Sequence, residues 1–248
     1  MLNRLYLLAL FAVPVALVGC DSSDSDPIPD PVPDPVIVPI PAQTATDIEA
    51  DLAVAFGPTG PQGRDLYTLY DLDAGEIVLS SNETDMAVRA ADSASTAWDI
   101  GFRSTTIIFN GGISGPGQGS AQLLVDGFEA ITEAPADGYL TDGTNGTCPE
   151  IQTPGGTFPG PPLAVCTGSD NGWYNYNAAI NVVSPLPGRT IVLTTGEGNY
   201  AKVRILSYYL GAPAPEDLDP SEDPGRYYTF DYVVQPDGTR SFETTVEG

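Results

Sequence analysis

The spacing of turn-forming residues constrains the fold of this chain more than any other feature. The 248 residues include 27 Gly and 24 Pro, and between them stand short runs rich in β-branched and aromatic side chains. Gly and Pro interrupt regular structure, so this pattern favours short strands and many turns over long helices. We therefore predict an all-β fold, a single antiparallel β domain over residues 42–248.

Alternation of apolar and polar residues locates the strands of this domain. Residues 67–72 and 76–80 are predicted to form one hairpin. Residues 191–195 and 200–209 are predicted to form a second hairpin, closed by a four-residue loop. Residues 228–234 alternate in the same way and are predicted to be a further strand.

Two other segments refine this prediction. Residues 98–103 alternate so that one face of a strand is apolar and the other polar. In the second hairpin, Lys202 and Arg204 are expected to point away from the apolar face. A short helix is predicted near residues 46–55, and no other segment shows a helical period with good caps.

The first 41 residues are predicted to be an export signal and a tether. Arg4 precedes an apolar run too short to span a bilayer comfortably, and Leu17-Val18-Gly19-Cys20 resembles a bacterial lipobox. We therefore predict a signal peptide over residues 1–19 and lipidation of Cys20, which would anchor the protein in the bacterial cell envelope. Residues 20–41, rich in Asp and Pro, are predicted to be an extended tether.

The two remaining cysteines, Cys148 and Cys166, form an even pair in a chain predicted to be exported. Without CxxC spacing they do not resemble a metal site, so we predict a disulfide between them. The bridge would close a loop rich in Gly and Pro and stabilise the fold by about 3 kcal/mol.

Charge and the missing histidines exclude several classes of function. Nine basic residues stand against 33 acidic ones, the formal net charge is −24, and the chain contains no histidine. So acidic a surface repels phosphate backbones, and we expect no nucleic-acid partner. Catalytic triads and His-ligated metal sites need histidine, so both are excluded. A glycosidase needs two facing carboxylates, but in a chain with 33 acidic residues such a pair arises by chance and is no evidence of activity. We therefore expect no enzymatic activity.

Two loop sequences superficially suggest ion sites. Residues 71–76 resemble the start of a calcium loop, but the glycine comes one place early and Asn82 stands where a Glu belongs. A hairpin turn is the prediction there. The glycine-rich residues 110–119 lack the Lys-Ser/Thr of a phosphate loop, yet glycine lets backbone approach closely, so this loop could line a ligand slot.

An aromatic cluster at residues 173–177 is a more informative binding signal. Trp173, Tyr174 and Tyr176, with asparagines between them, could stack on a sugar ring or a porphyrin. The alternative is an amphipathic strand whose rings lie in the core. The residues alone leave both interpretations open.

Several of these segments together resemble the HmuY family of bacterial haem-binding lipoproteins. The similar segments are residues 98–103, 110–121, 173–176, 187–189, 199–209 and 226–232. They follow the order of the family, and the lipobox agrees. The resemblance implies an all-β fold and haem capture for iron acquisition at the cell surface or in the periplasm. It also implies an outer-membrane receptor as partner.

The chain departs from this family in its iron ligands. Characterised members use histidine and some relatives methionine, whereas residues 177–181 here offer no good iron donor where one family ligand would fall. If haem binds, its axial ligand is Tyr174, Tyr176, another tyrosine, Met86 or no protein group. The candidate ligand-binding residues are Met86, Trp173, Tyr174, Tyr176 and Arg189, with Arg103, Arg189 or Arg204 needed near the propionates. The alternative function is a β-domain that binds a different ligand, such as a carbohydrate.

Overall fold

The computed structural model describes residues 34–57, 60–153 and 156–246. The predicted signal peptide, Cys20 and most of the predicted tether lie outside the described residues. Within these ranges, none of the helices is long and apolar enough to cross a membrane. Strands dominate the described chain, and the prediction of an all-β fold is confirmed.

Most of the strands are short. They are β1 (Val36–Pro39), β2 (Gln43–Glu49), β3 (Ala55–Gly57), β4 (Gly60–Gln62), β5 (Thr68–Asp71), β6 (Glu76–Leu79), β7 (Ile100–Arg103), β8 (Thr106–Phe109), β9 (Ser120–Leu124), β10 (Ile151–Thr153), β11 (Gly156–Phe158), β12 (Tyr174–Asn177), β13 (Val182–Pro185), β14 (Thr190–Thr194), β15 (Tyr200–Tyr209), β16 (Gly225–Gln235) and β17 (Glu243–Val246). An α-helix, α1, covers Met86–Ser93, and a 3-10 helix covers Phe128–Ala130.

Two antiparallel sheets form the body of the domain. The larger has the strand order β2-β16-β15-β14-β9, and the smaller has the order β6-β5-β7-β8. Their facing side chains share one buried cluster, in which the ring centroid of Phe102 lies 4.5 Å from that of Tyr228 and 5.2 Å from that of Phe230. Each fully buried large apolar side chain stabilises the fold by about 1.5–3 kcal/mol, so this cluster holds the two sheets together.

Both predicted hairpins are present, because β5 pairs with β6 and β14 pairs with β15. The predicted turn at residues 71–76 is also present, and the Gly75 N–H donates to the Asp71 carbonyl at 3.0 Å. β16 contains the predicted alternating strand, and its Tyr228, Phe230 and Tyr232 are buried.

The helix content differs from the prediction. The helix predicted near residues 46–55 is wrong: the segment begins in β2, and Asp47 and Asp51 have positive φ angles of 55° and 61°, which an α-helix excludes. The helix that does form, α1, is eight residues long and buries only Arg89, so it is too short for a helical period to be recognised in the sequence. Its N-cap is Asp85, whose carboxylate accepts the Ala87 N–H at 2.8 Å.

The alternation predicted for residues 98–103 fails at its first residue. Ile100 and Phe102 face the main core as expected, whereas Trp98 belongs to a separate apolar cluster. The reason is that β7 begins only at Ile100. Before it, the buried Asp99 turns its carboxylate inward and accepts two backbone N–H groups, each at 2.8 Å.

Lys202 and Arg204 lie on the side of β15 opposite the main core, but a second apolar cluster covers this side. The Lys202 ammonium is buried there and donates to the carbonyls of Phe128 at 2.8 Å and Ile131 at 2.7 Å. It also lies 5.1 Å from the ring centroid of Phe242. The face of β15 that was predicted to be polar is therefore covered by the second apolar cluster, and the Lys202 ammonium is buried within it.

The predicted disulfide is present. Cys148 and Cys166 are bonded, with Cα atoms 5.3 Å apart.

At the N-terminal side, β1 lies within residues 20–41 and pairs with β17, and the Ile40 N–H donates to the Phe242 carbonyl at 2.9 Å. The end of the predicted tether segment thus runs along the domain as a strand.

Candidate functional site

A cavity of about 450 Å³ lies between α1 and the outer face of the smaller sheet. Its floor follows a row of residues paired across the sheet, which runs through Leu79, Leu69, Gly101 and Ile108. A Cβ on Gly101 would lie 2.8 Å from Ile108 and 2.9 Å from Leu69. Glycine therefore lets these two aliphatic side chains close over the middle of the floor. The volume is typical of a small-molecule site.

Arg89 fixes α1 as one wall of the cavity. Its guanidinium is almost fully buried and donates to the carbonyls of Ser80 at 2.9 Å, Glu83 at 3.2 Å and Tyr67 at 3.0 Å. Hydrogen bonds from a charged donor are each worth about 1.5–3 kcal/mol. This side chain therefore ties the helix to the start of β5 and the end of β6.

The glycine-rich residues 110–119 form a second wall. They fold around the fully buried amide of Asn110, which donates to the carbonyls of Ser95 at 3.0 Å and Trp98 at 2.7 Å. The same amide accepts the Gly117 N–H at 3.0 Å. The loop therefore has a fixed conformation and, as expected for a slot-lining loop, contributes side chains to the cavity.

Asp142 connects three walls of the cavity through one buried carboxylate. One oxygen accepts the Phe109 N–H at 3.1 Å and the Ser114 hydroxyl at 2.8 Å, and the other accepts the Ala164 N–H at 2.7 Å. Ala164 lies in the loop closed by the disulfide, next to the cavity residue Leu163. The carboxylate thus holds β8, the glycine-rich loop and the disulfide loop in one arrangement.

The lining of the cavity is mainly apolar. Its buried members are Leu69, Leu79, Trp98, Ile108 and Leu163. Met86 of α1 and Ile113 of the glycine-rich loop also line it, and each is 71% exposed. The Met86 thioether and the Tyr67 phenol, which lines the cavity as well, are groups that can bind iron. Apolar walls and two groups that can bind iron therefore line the same cavity.

Positive charge stands beside Tyr67. The Arg103 guanidinium lies 4.7 Å from the centroid of the Tyr67 ring. Burial raises the pKa of the Tyr67 phenol, and Arg103 acts in the opposite direction. The carboxylate of Asp65 is 3.9 Å from Arg103 and exposed, so that ion pair is weak. By contrast, Arg204 is bound to two carboxylates at 2.6 and 2.7 Å.

The predicted ligand-binding residues occupy different parts of the molecule. Met86 lines the cavity, and none of the other four does. Trp173 and Tyr174 are buried in the main core with their ring centroids 4.9 Å apart. Tyr176 is 43% exposed on β12, and Arg189 is partly buried just before β14. The three aromatic residues therefore do not present a flat exposed platform.

The residues that build the cavity are not apparent from the sequence. Arg89, Asn110 and Asp142 are ordinary polar residues until the fold buries them. Tyr67 is one of 12 tyrosines, and nothing in its neighbourhood distinguishes it. The one available signal concerns Arg89, because a chain with nine basic residues has placed one within an alanine-rich segment.

Comparisons with known proteins give one family match and several similar structures. The family model of the HmuY protein matches residues 64–232. No curated protein matches the chain significantly. Among solved structures, the apo HmuY analog of Tannerella forsythia is 15% identical, with 84% of this chain and 100% of that chain covered and a TM-score of 0.39.

Two further structures come from Bacteroides. One, provisionally named an HmuY-like heme-binding protein of Bacteroides vulgatus, is 15% identical, with 77% of this chain and 91% of that chain covered and a TM-score of 0.42. The other, provisionally named a lipoprotein of Bacteroides fragilis, is 14% identical, with 77% and 88% covered and a TM-score of 0.39.

Proposed function

The chain belongs to the HmuY family, and on this premise we propose that it is a haem-binding lipoprotein tethered to the bacterial cell envelope. In this proposal the haem site is the cavity beneath α1. Haem is the cargo, captured for iron acquisition and passed to an outer-membrane receptor, and the protein catalyses no reaction. Lipidation of Cys20 would supply the membrane anchor.

One observation carries the proposal: the cavity combines apolar walls with two groups that can bind iron. Leu69, Trp98 and Ile108 offer apolar and aromatic surface to a porphyrin ring. Met86 and Tyr67 line the same cavity and supply a thioether and a phenol. The chain contains no histidine, so these donor types are what it can offer in place of an imidazole.

The proposed haem site also needs a cation, because haem carries two negatively charged propionates and the chain has a net charge of −24. Arg89 lines the cavity, but its guanidinium is already bound to three carbonyls. Arg103 lies over the ring of Tyr67 and has only a weak partner in Asp65. We therefore assign the propionate contact to Arg103.

The alternative of a carbohydrate-binding domain depends on exposed aromatic rings. Trp173 and Tyr174 are 2% and 6% exposed, so neither ring can stack on a sugar in this arrangement. Tyr176 alone of the three is exposed. The apolar cavity therefore favours a planar apolar ligand over a carbohydrate.

The proposal is tested by titrating the purified protein with ferric and ferrous haem and following the Soret band. We expect saturable binding with a shifted Soret band. Met86→Leu keeps the volume of the side chain but removes the sulfur, so it should weaken the binding of ferrous haem, which prefers a soft ligand. Val88→Leu, on the same helix but outside this cavity, is the matched control. Absence of a Soret shift and of saturation at micromolar haem would overturn the proposal.

A further inference from the structure

The hydroxyl of Tyr67 makes no hydrogen bond within the part of the chain that the structure describes. Its ring lines the cavity. The two tyrosines predicted as iron ligands differ in this respect. The Tyr174 hydroxyl accepts the Gly168 N–H at 2.9 Å, and the Tyr176 hydroxyl donates to Asn181 at 2.9 Å.

The position of Tyr67 is fixed even though its hydroxyl is free. The residue stands immediately before β5, and its carbonyl accepts from the buried Arg89 guanidinium at 3.0 Å. Its ring lies under the Arg103 guanidinium at 4.7 Å. The phenol is therefore held on the cavity wall from both its backbone and its ring, which is what a ligand group requires.

The charges around Tyr67 act in both directions. Burial, Asp142 and Asp65 favour the neutral phenol, while Arg103 favours the phenolate. The Arg89 guanidinium is also near, because it donates to the backbone carbonyl of Tyr67. Arg103 is the cation in contact with the ring.

Resting on the proposed function, we propose that Tyr67, held by the contact of its carbonyl with Arg89 and of its ring with Arg103, supplies the oxygen ligand of ferric haem iron. On binding, the Tyr67 O–H bond breaks, its proton passes to solvent, and a bond forms between Oη and the iron. The iron stays ferric, so no electron is transferred. The hard oxygen anion selects ferric iron, whereas the Met86 sulfur suits ferrous iron.

The experiment compares Tyr67→Phe with the matched control Tyr227→Phe, which removes the hydroxyl of a partly exposed tyrosine of β16 outside the cavity. Binding of ferric and ferrous haem is measured for each. Tyr67→Phe should lower the affinity for ferric haem by about tenfold or more, with little change for ferrous haem. It should also abolish the tyrosinate-to-iron charge-transfer band. Tyr227→Phe should behave as the original protein.

The release of one proton gives a second readout. For the original protein, the affinity for ferric haem should rise by up to about tenfold per pH unit below the pKa of the phenol. Tyr67→Phe should lose this dependence. Arg103→Gln should keep the charge-transfer band, because Tyr67 supplies the ligand, but weaken the binding of ferric and ferrous haem alike, because the proposed propionate contact is lost.

Two outcomes separate this inference from the proposed function. If Tyr67→Phe binds ferric haem with the affinity, spectrum and pH dependence of the original protein, the Tyr67 ligand is wrong and the proposed function stands. If the original protein binds neither form of haem, both are wrong. Circular dichroism and thermal unfolding of each variant establish that it is folded before its affinity is compared.

Discussion

At the level of single residues, three buried polar side chains determine the shape of the cavity. Arg89, Asn110 and Asp142 each bond to three partners, which lie in at least two segments of the chain. A buried polar group is costly unless all its partners are present, so each of these residues specifies one arrangement of the segments around it.

Asp142→Asn tests this role directly. The amide keeps one carbonyl oxygen but turns its NH₂ group toward backbone or hydroxyl donors, so at least one buried N–H loses its acceptor. We expect the free energy of unfolding to fall by about 1–3 kcal/mol, with weaker haem binding because three walls share this anchor. Urea unfolding measures the change. Asp137→Asn, at an exposed position, is the control, and equal stabilities for the two variants would contradict the account.

Asp99 gives a prediction about pH. Burial raises the pKa of this carboxyl group to about 7, against the opposing effect of its two backbone donors. Between about pH 4 and pH 7 the unfolded state therefore ionises while the native state keeps its proton. The native state binds more protons in this window, so the contribution of Asp99 to stability is complete below about pH 4 and falls as the pH rises to about 7.

The measurement is the free energy of unfolding of the original protein and of Asp99→Asn across this range. Carboxylates distant from Asp99 contribute equally to both, so the difference isolates Asp99 together with its coupling to Asp71 and Asp73. We expect the stability of the original protein relative to Asp99→Asn to decrease by an amount on the order of a few kcal/mol from pH 4 to pH 7. A difference that stays constant with pH would show that the Asp99 carboxyl ionises normally.

At the level of the elements, the strands follow from the sequence more directly than the cavity does. β5, β6, β14, β15 and β16 are predictable because β-branched and aromatic residues alternate between Gly- and Asp-containing turns. The helix α1 is not predictable in this way, since its eight residues are too few to establish a helical period. The sequence identifies Met86 as a possible iron donor from its chemistry, but it does not show that Met86 lines the cavity.

The contribution of the disulfide loop can be tested by removing its disulfide bond. Cys148→Ser with Cys166→Ser opens a loop between residues 18 positions apart and should lower the free energy of unfolding by about 3 kcal/mol. Because Leu163 of this loop lines the cavity, haem binding should weaken too. Reductant should destabilise the original protein and leave the double variant unchanged. If the original protein and the double variant unfold at the same urea concentration, the disulfide does not stabilise the fold.

At the level of the whole molecule, the two sheets and the cavity are assembled by contacts that no local pattern reveals. Asp142 reaches Phe109 across 33 positions of sequence, and Arg89 reaches Tyr67 across 22. Residues 173–176 resemble a family segment, yet the fold places Trp173 and Tyr174 in the main core. The sequence therefore identifies the family and the fold class, and long-range packing decides where a ligand can enter.

The most direct test of the haem site is to fill the cavity. Ala90 and Ala91 are neighbouring exposed residues of α1, and Ala90 lines the cavity whereas Ala91 does not. Tryptophan costs the helix a similar amount at either position. Haem titration should show at least about tenfold weaker binding for Ala90→Trp, or about 1.4 kcal/mol, and unchanged binding for Ala91→Trp. Equal haem affinity for both variants and the original protein would contradict the placement of haem beneath α1.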